Sequence, residues 1–313
     1  MADVSLIICT HNRAESLART LQSCCYIQLP NKFDWELIVV ANACTDDTLQ
    51  VVENFRTCLP LKVVEEPVPG LSRARNAGVH VACSNLVVFT DDDVEIDPNC
   101  LAVYVEGAKK YLKAVFFGGQ IIPKYNGKRP SWLTDKLENG VLSAVCVSRR
   151  MGENSLKYSK HQLPYGANFS VSREYLLQRP FRTDLGVIGN KKRCHEEVDL
   201  FLSLMKKGHH GVYLPGAIVW HYTDASRLKL FSIIRQGYGH GRSDIVGDMV
   251  ERPDTSHWLY WLLKMYKLCL KSMFYLMNGC LQGHELFYQN IWVIARQWGR
   301  FHEGIRSDME NHY

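Results

Sequence analysis

The chain has 313 residues, enough for one large α/β domain or a domain with a helical tail. Its content of 46% hydrophobic and 22% charged residues is that of a globular protein. The net charge of +5 is too diffuse to argue for nucleic acid, but it fits an anionic ligand or an acidic membrane surface.

Eleven cysteines form no framework: Cys24 and Cys25 are adjacent and no Cys-x-x-Cys occurs. Cys9, Cys83 and Cys146 stand in apolar runs, where free cysteine behaves as a small hydrophobe. This usage predicts a reducing, cytoplasmic setting and argues against zinc. No leader pattern precedes the strand that starts at Val4, and no apolar run reaches about 20 residues.

The first hundred residues alternate strand and helix. Strands are predicted at Val4–Cys9, Glu36–Ala41, Leu61–Val64 and Leu86–Thr90. Helices are predicted at Glu15–Cys25, Asp46–Phe55, Arg73–Ala82 and Asp97–Leu112, the last with Pro98 at its first position. This spacing implies βαβ units and a parallel sheet.

Residues 113–195 are less regular. Val115–Ile122 reads as a strand in which Gly118 and Gly119 allow close backbone approach. Pro123–Thr134 reads as a loop carrying Trp132 as a ligand platform, Glu138–Val147 as a strand, and Arg149–His161 as a basic loop. Glu196–Lys207 is a predicted helix ended by Gly208, followed by short strands at Val212–Leu214 and Ile218–Trp220. From about Ser226 the chain reads as helical. The resulting division is a domain over 1–225, with halves at about 1–112 and 113–225, and an extension over 226–313.

Asp91-Asp92-Asp93 ends a charge-free strand, where open α/β sheets bind ligands. Three adjacent carboxylates repel unless a positive partner sits among them, and a hard divalent cation holding a diphosphate is the simplest one. Two more polar loops, Thr10–Arg13 and Asn42–Asp46, leave strand ends on the same sheet edge. In Gly70–Gly78, Arg73 and Arg75 point to different sides of a helix, so one of them is placed to meet phosphate. Glu196 and Glu197 open a helix, as acids do for dipole reasons, but a carboxylate there can also deprotonate a hydroxyl. His221 ends a strand. The stretch Gly237-Tyr238-Gly239-His240-Gly241 follows a helix-like run instead of a strand, so it reads as a phosphate-closing lid with Arg227, Arg235 and Arg242.

These pieces, in this order, resemble the GT-A fold glycosyltransferases of family 2, the large inverting group. The resemblance runs over about residues 4–245 and rests on Val4–Arg13, Leu37–Thr48, Gly70 with Ala74-Arg75-Asn76, Asp91–Asp93, Gly166-Ala167-Asn168, and Glu196-Glu197 with Gly208, Pro215 and His221. It implies an α/β, Rossmann-like, mostly parallel central sheet with flanking helices. It implies a nucleotide-sugar site at Thr10, Arg13, Asn42, Arg75, Asp91 and Asp92, with Asn42 near the base and Asp91 near the ribose. Asp93, with His221 as a further contact, would bind Mn2+ or Mg2+. Glu197, beside Glu196, would be the catalytic base, and Gly166 and Asn168 would lie near donor sugar or acceptor. The expected donor is a nucleoside-diphosphate sugar, UDP-linked first, and the expected acceptor a glycan or glycolipid hydroxyl in polysaccharide or glycolipid assembly. Two departures stand out: Ala41 occupies a position often held by aspartate, and Glu197 replaces the aspartate of the usual Glu-Asp pair.

The rival from another class is a non-catalytic nucleotide-sugar binder, which Ala41 favours and the intact Asp93 and Glu197 oppose. A nucleotidyltransferase or a Rossmann oxidoreductase needs a glycine-rich loop after the first strand, and Thr10–Arg13 has no glycine. In the tail, residues 256–301 are rich in aromatics, among them Trp258, Trp261, Tyr266, Phe274 and Trp292. Lys264, Lys267 and Lys271 recur at helical spacing beside apolar residues. Such a segment can lie peripherally on the inner face of the plasma membrane, or pack on the catalytic domain or in a homodimer.

Overall fold

A computed structural model describes residues 2–30, 33–188, 191–192, 195–246 and 258–311. In chain order the elements begin β1 (Val4–Thr10), α1 (Ala14–Cys24), β2 (Trp35–Asn42), α2 (Thr48–Asn54), β3 (Leu61–Glu66), α3 (Leu71–Val81) and β4 (Leu86–Thr90). They continue with β5 (Val94–Ile96), α4 (Cys100–Lys110), β6 (Ala114–Asn126), α5 (Asp135–Glu138), α6 (Ser143–Cys146), β7 (Leu156–Lys157), β8 (Asn168–Ser172) and α7 (Arg173–Gln178). After β9 (Val187–Ile188) and β10 (Lys191–Lys192) come α8 (Glu196–Lys206), β11 (His210–Asp224), a 3-10 turn (Ala225–Leu228), α9 (Leu230–Val246), α10 (Trp258–Gln282) and α11 (His284–Asn311).

Two compact units result, one of Met1–Lys124, Arg149–Asn190 and Glu196–Tyr222, the other of Tyr125–Ser148, Lys191–His195 and Thr223–Tyr313. The first is α/β. Among the described residues its sheet has nine strands in the order β3-β2-β1-β4-β8-β6-β11-β5, with β7 paired to β11. The four leading strands are parallel, and β8 runs antiparallel to β4 and β6. Their apolar runs are buried between helices, as strands covered on both faces require. Phe89, Phe116, Phe169, Phe181 and Phe201 stack in the core, with Phe116 and Phe201 centroids 4.7 Å apart. Gly119 meets its expected close approach: a Cβ there would lie 2.1 Å from the Ala217 carbonyl oxygen.

The expected pair of strands around Pro215 is one strand, β11. Its partner changes from β7 at Val212 and Tyr213 to β5 at Val219–His221, so Pro215 falls where neither of these two ladders needs a donor. β5 itself, three residues long, had no signal in the sequence.

The second unit is helical. The strand expected over Glu138–Val147 is instead a pair of short helices, α5 and α6. Thr134 caps α5 by accepting from Leu137 N, and Leu137, Leu142, Val145 and Cys146 pack with Leu228, Ile233 and Trp292. The expected glycine lid over 237–241 is the middle of the continuous helix α9. Gly241 lets α9 approach α11 so closely that a Cβ would sit 1.9 Å from the Arg296 carbonyl oxygen. The start of the aromatic tail, residues 256–257, lies outside the described residues.

Candidate active site

The parallel order β2-β1-β4 sets the ends of those strands side by side, and side chains weld the loops that follow. His11 Nδ1 donates to the Asn42 carbonyl at 2.6 Å, and Asn12 Oδ1 accepts from Thr45 N at 2.7 Å. Asp46 caps two helices, accepting from Ala14 N at 3.0 Å and Thr48 N at 3.2 Å. Asn42, expected near a base, is fully engaged with backbone: Nδ2 donates to the carbonyls of Glu66 and Val68, and Oδ1 accepts from Gly70 N. It fixes the loop leading to α3. Asp46 at the start of the 46–55 helix suits a helix N-terminus, but its bond to α1 and the role of His11 had no signal beyond their place in polar loops.

The three aspartates divide by direction. Asp92 turns inward, accepting from Thr10 Oγ1 at 2.7 Å and Arg13 Nη1 at 2.5 Å. Asp91 and Asp93 come together on the other side, through the turn that Asp92 and Asp93 make between β4 and β5. The β5–β11 ladder pairs His221 with Val94, and this brings His221 Nε2 to 3.0 Å from Asp93 Oδ1 and 4.0 Å from Asp91 Oδ2. One ligand atom from each of Asp91, Asp93 and His221 lies within 4.8 Å of the others. Arg13 Nη2 holds the second Asp93 oxygen at 2.8 Å. Asp91, expected at a ribose, thus belongs to the cluster instead, and Asp92 and Thr10 support it from behind.

Electrostatics follow this split. Burial, and then repulsion from Asp93, push the Asp91 carboxyl up, although the side chain remains 33% open to solvent. Burial pushes Asp92 up to about 7 against the pull of Arg13. Burial also pushes Asp93 up, but His221 and Arg13 outweigh it and hold this carboxyl below the usual range. Asp93 Oδ1 is enclosed, and His221 Nε2 faces it at 3.0 Å. Two carboxylates and an imidazole around such an oxygen fit a divalent cation of the Mn2+ or Mg2+ kind.

A second cluster joins α3 to α8. Arg75 is 3% exposed and Glu196 5%, and Arg75 Nη1 donates to Glu196 Oε1 at 2.6 Å. Arg75 Nη2 donates to the Gly166 carbonyl at 3.4 Å, and the guanidinium lies over Phe169 at 5.4 Å and Phe181 at 5.5 Å. The fork expected to meet nucleotide is therefore occupied by protein. Gly166 makes room for it, since a Cβ there would come within 2.8 Å of Nη2 and 3.7 Å of Glu197 Oε1. Burial, and then repulsion from Glu196, push Glu197 up to about 8, while Arg75 pulls it down. Arg75 also acts on Asp91, so it lies within electrostatic reach of both clusters. Asn168, expected at a sugar, is spent on structure: Oδ1 accepts from Tyr104 Oη, and Nδ2 donates to the Gln120 and Ala217 carbonyls.

The remaining expected residues are in the second unit, where Trp132, Arg227 and Arg242 are used within the protein. Trp132 stacks on Tyr288 with centroids 3.7 Å apart. Arg227 donates to the Val145 carbonyl at 3.0 Å, and Arg242 to Glu303 Oε2 at 2.6 Å. Arg235 is exposed and lines an apolar groove. Within that unit, Arg227 and Arg242 are not free to close on a phosphate.

Residues 5–179 match the family model described as glycosyl transferase family 2. A glucosyl-dolichyl phosphate glucuronosyltransferase of Haloferax volcanii is 22% identical over 252 residues, 79% of this chain and 78% of that protein. The mannosyltransferase PcManGT from Pyrobaculum calidifontis, solved with GDP-Man and Mn2+, has a TM-score of 0.58 at 17% identity, covering 99% of this chain and 74% of that one. S. aureus TarS 1–349 with UDP-GlcNAc has a TM-score of 0.54 at 17% identity, covering 100% of this chain and 91% of that one. These likenesses give the α/β fold of known transferases.

Proposed function

This chain belongs to glycosyl transferase family 2, and we propose that it moves a sugar, with inversion, from a nucleoside-diphosphate sugar to a hydroxyl of a glycan or glycolipid. The observation that carries the reading is the pair of clusters in one unit. The Asp91, Asp93 and His221 triad suits a diphosphate-bound cation, and Arg75 links it electrostatically to a carboxylate, Glu197, held near neutrality. A general base works best with a pKa near the operating pH.

In this mechanism Glu197 takes the proton of the acceptor hydroxyl. The hydroxyl oxygen attacks the anomeric carbon from the face opposite the diphosphate, the bond to the diphosphate oxygen breaks, and configuration inverts. Glu196 and Arg75 orient Glu197 and set its charge. Asp91, Asp93 and His221 would hold Mn2+ or Mg2+, which when bound supplies positive charge for the leaving diphosphate. Asn42 shapes the nucleotide pocket through the 66–70 loop, and Ala41 leaves the choice of base to other groups. We place the reaction on the cytoplasmic side, in surface polysaccharide or glycolipid assembly; the dolichyl-phosphate relative supports the glycolipid setting.

The test is release of nucleoside diphosphate from UDP-, GDP- and dTDP-sugars with Mn2+, with and without EDTA, beside Asp93→Ala. Release from one donor, abolished by EDTA and by the substitution, is expected. Donor binding by calorimetry without release would make the chain a binder without turnover, and absence of both release and metal-dependent donor binding would also overturn the proposal.

A further inference from the structure

The helix α10 is uncovered on most of its surface. One face packs on α11: Trp298 Nε1 donates to Ser272 Oγ at 3.3 Å, Asn290 Nδ2 donates to the Tyr275 carbonyl at 2.8 Å, and Gly279 lies against Phe287. Leu268 is buried on the same side. The opposite face carries Tyr266, Leu270, Met273, Phe274 and Met277, each between 49% and 63% exposed. Burying such residues is ordinarily favourable, and a contiguous apolar face of this kind marks an interaction surface.

Charge identifies the occupant. Lys264, Lys267 and Lys271 stand at i, i+3 and i+7, one stripe along the edge of the apolar face, and all three are exposed. Trp258–Gln282 contains no acidic residue. A second copy docked through the same face would bring lysine stripes together with no carboxylate from α10 to answer them, because a two-fold contact uses the same patch twice. Anionic lipid headgroups answer them directly. Apolar and aromatic side chains beside a lysine stripe are the pattern of a helix lying in a membrane interface. Among the described residues no helix is long and apolar enough to cross a bilayer, so the contact lies in the plane of the surface.

We propose that α10 docks this protein on an anionic lipid bilayer, with Leu270, Met273, Phe274 and Met277 entering the headgroup boundary and the three lysines pairing with lipid phosphates. The apolar surface continues through Leu276 into a groove of about 410 Å³ that Phe231, Ile234 and Trp298 also line. The inference stands apart from the transfer reaction and needs none of its residues.

The experiment is flotation of the full chain with phosphatidylcholine vesicles and with vesicles that also contain phosphatidylserine. Binding to the anionic vesicles alone is expected, weakening with salt. Lys264→Glu/Lys267→Glu/Lys271→Glu lowers the partition coefficient at least on the order of 100-fold, at about five-fold per lysine charge removed. Met273→Asp/Met277→Asp abolishes flotation. Both variants change exposed positions, and unchanged thermal melting and Mn2+ binding show that each is folded. A chain that stays with the soluble fraction in all vesicles overturns the proposal, as does equal binding to both vesicle types. So does a sedimentation velocity dimer that Met273→Asp/Met277→Asp dissociates, which assigns the face to a second copy.

Discussion

Arg75 Nη1 reaches Glu196 Oε1 at 2.6 Å, with both side chains sealed from water. Only such a pairing makes either charge tolerable in that position, because an isolated buried ion is very costly. Aromatic faces and the Gly166 carbonyl complete the surroundings of the guanidinium. The neighbour Glu197 is then governed first by burial, and after that by the anion and the cation of this pair.

Removing one partner leaves the other unpaired. Glu196→Ala is expected to lower stability by about 3–5 kcal/mol in urea unfolding. The double variant Glu196→Leu/Arg75→Met costs less than Glu196→Ala alone, since no buried charge remains. A double variant less stable than Glu196→Ala would show that the pair is worth more than its desolvation.

Glu197→Gln keeps the shape of the side chain and removes the base. Turnover should fall at least about 100-fold while donor binding, followed by calorimetry, stays within a factor of about two or three. Glu197→Asp retains a carboxylate and should keep more activity than the glutamine variant. Near wild-type turnover by Glu197→Gln would move the base elsewhere.

The pH profile has a defined sign. Burial and Glu196 push Glu197 up to about 8, and only its deprotonated form can accept a proton. For the free enzyme, kcat/KM should climb with pH and level off above about 8. Arg75 lowers this pKa, so Arg75→Met should move the midpoint to higher pH. A midpoint near ordinary carboxylate values would contradict the assignment.

The first four parallel strands and their helices were legible because buried strands are apolar throughout and their loops are polar. The carboxylate motif was legible for the same reason, since Asp91–Asp93 follow an apolar strand. What the sequence hid was partnership. That Asn42, Arg75 and Asn168 spend their polar atoms on protein depends on Gly70, Glu196 and Ala217, residues 28 to 121 positions away or belonging to other strands. The short β5 that delivers His221 has too few residues for a periodic signal. The glycines of 237–241 were misread because glycine serves close helix packing as readily as mobility.

Loss of a metal ligand gives a readout free of catalysis. His221→Ala and Asp93→Ala should each weaken Mn2+ binding by at least about ten-fold, measured by electron paramagnetic resonance of the free ion. Asp92→Asn, which alters a side chain tied to Thr10 and Arg13, should weaken it less than either. An order in which Asp92→Asn is the most damaging would reverse the division of the three aspartates.

The helical unit carries a separate acid sensitivity. His240 Nδ1 lies 3.1 Å from His195 Nε2, and Asp244, fully buried, is held by Arg296 at 2.8 Å and Arg300 at 2.6 Å. Burial, and then the electrostatic effects of His195 and Arg296, hold His240 down to about 3 from an ordinary 6.5. The unfolded chain therefore takes up a proton as pH falls below 6.5, while the folded chain does not until about 3. The unfolded state binds more protons throughout that window, so stability must fall with pH there. By about pH 4 the loss reaches roughly 3 kcal/mol at about 1.4 kcal/mol per unit. The depressed Asp244 adds to the loss only below its ordinary 3.8, so the upper part of the window reports His240 within this network. Urea unfolding of the wild type and of His240→Asn at about pH 7, 5 and 4 separates this contribution from those of other groups. The variant should lose less stability between pH 7 and 4 than the wild type does. Parallel losses would mean that His240 is protonated in the folded state or that the unit opens before it titrates.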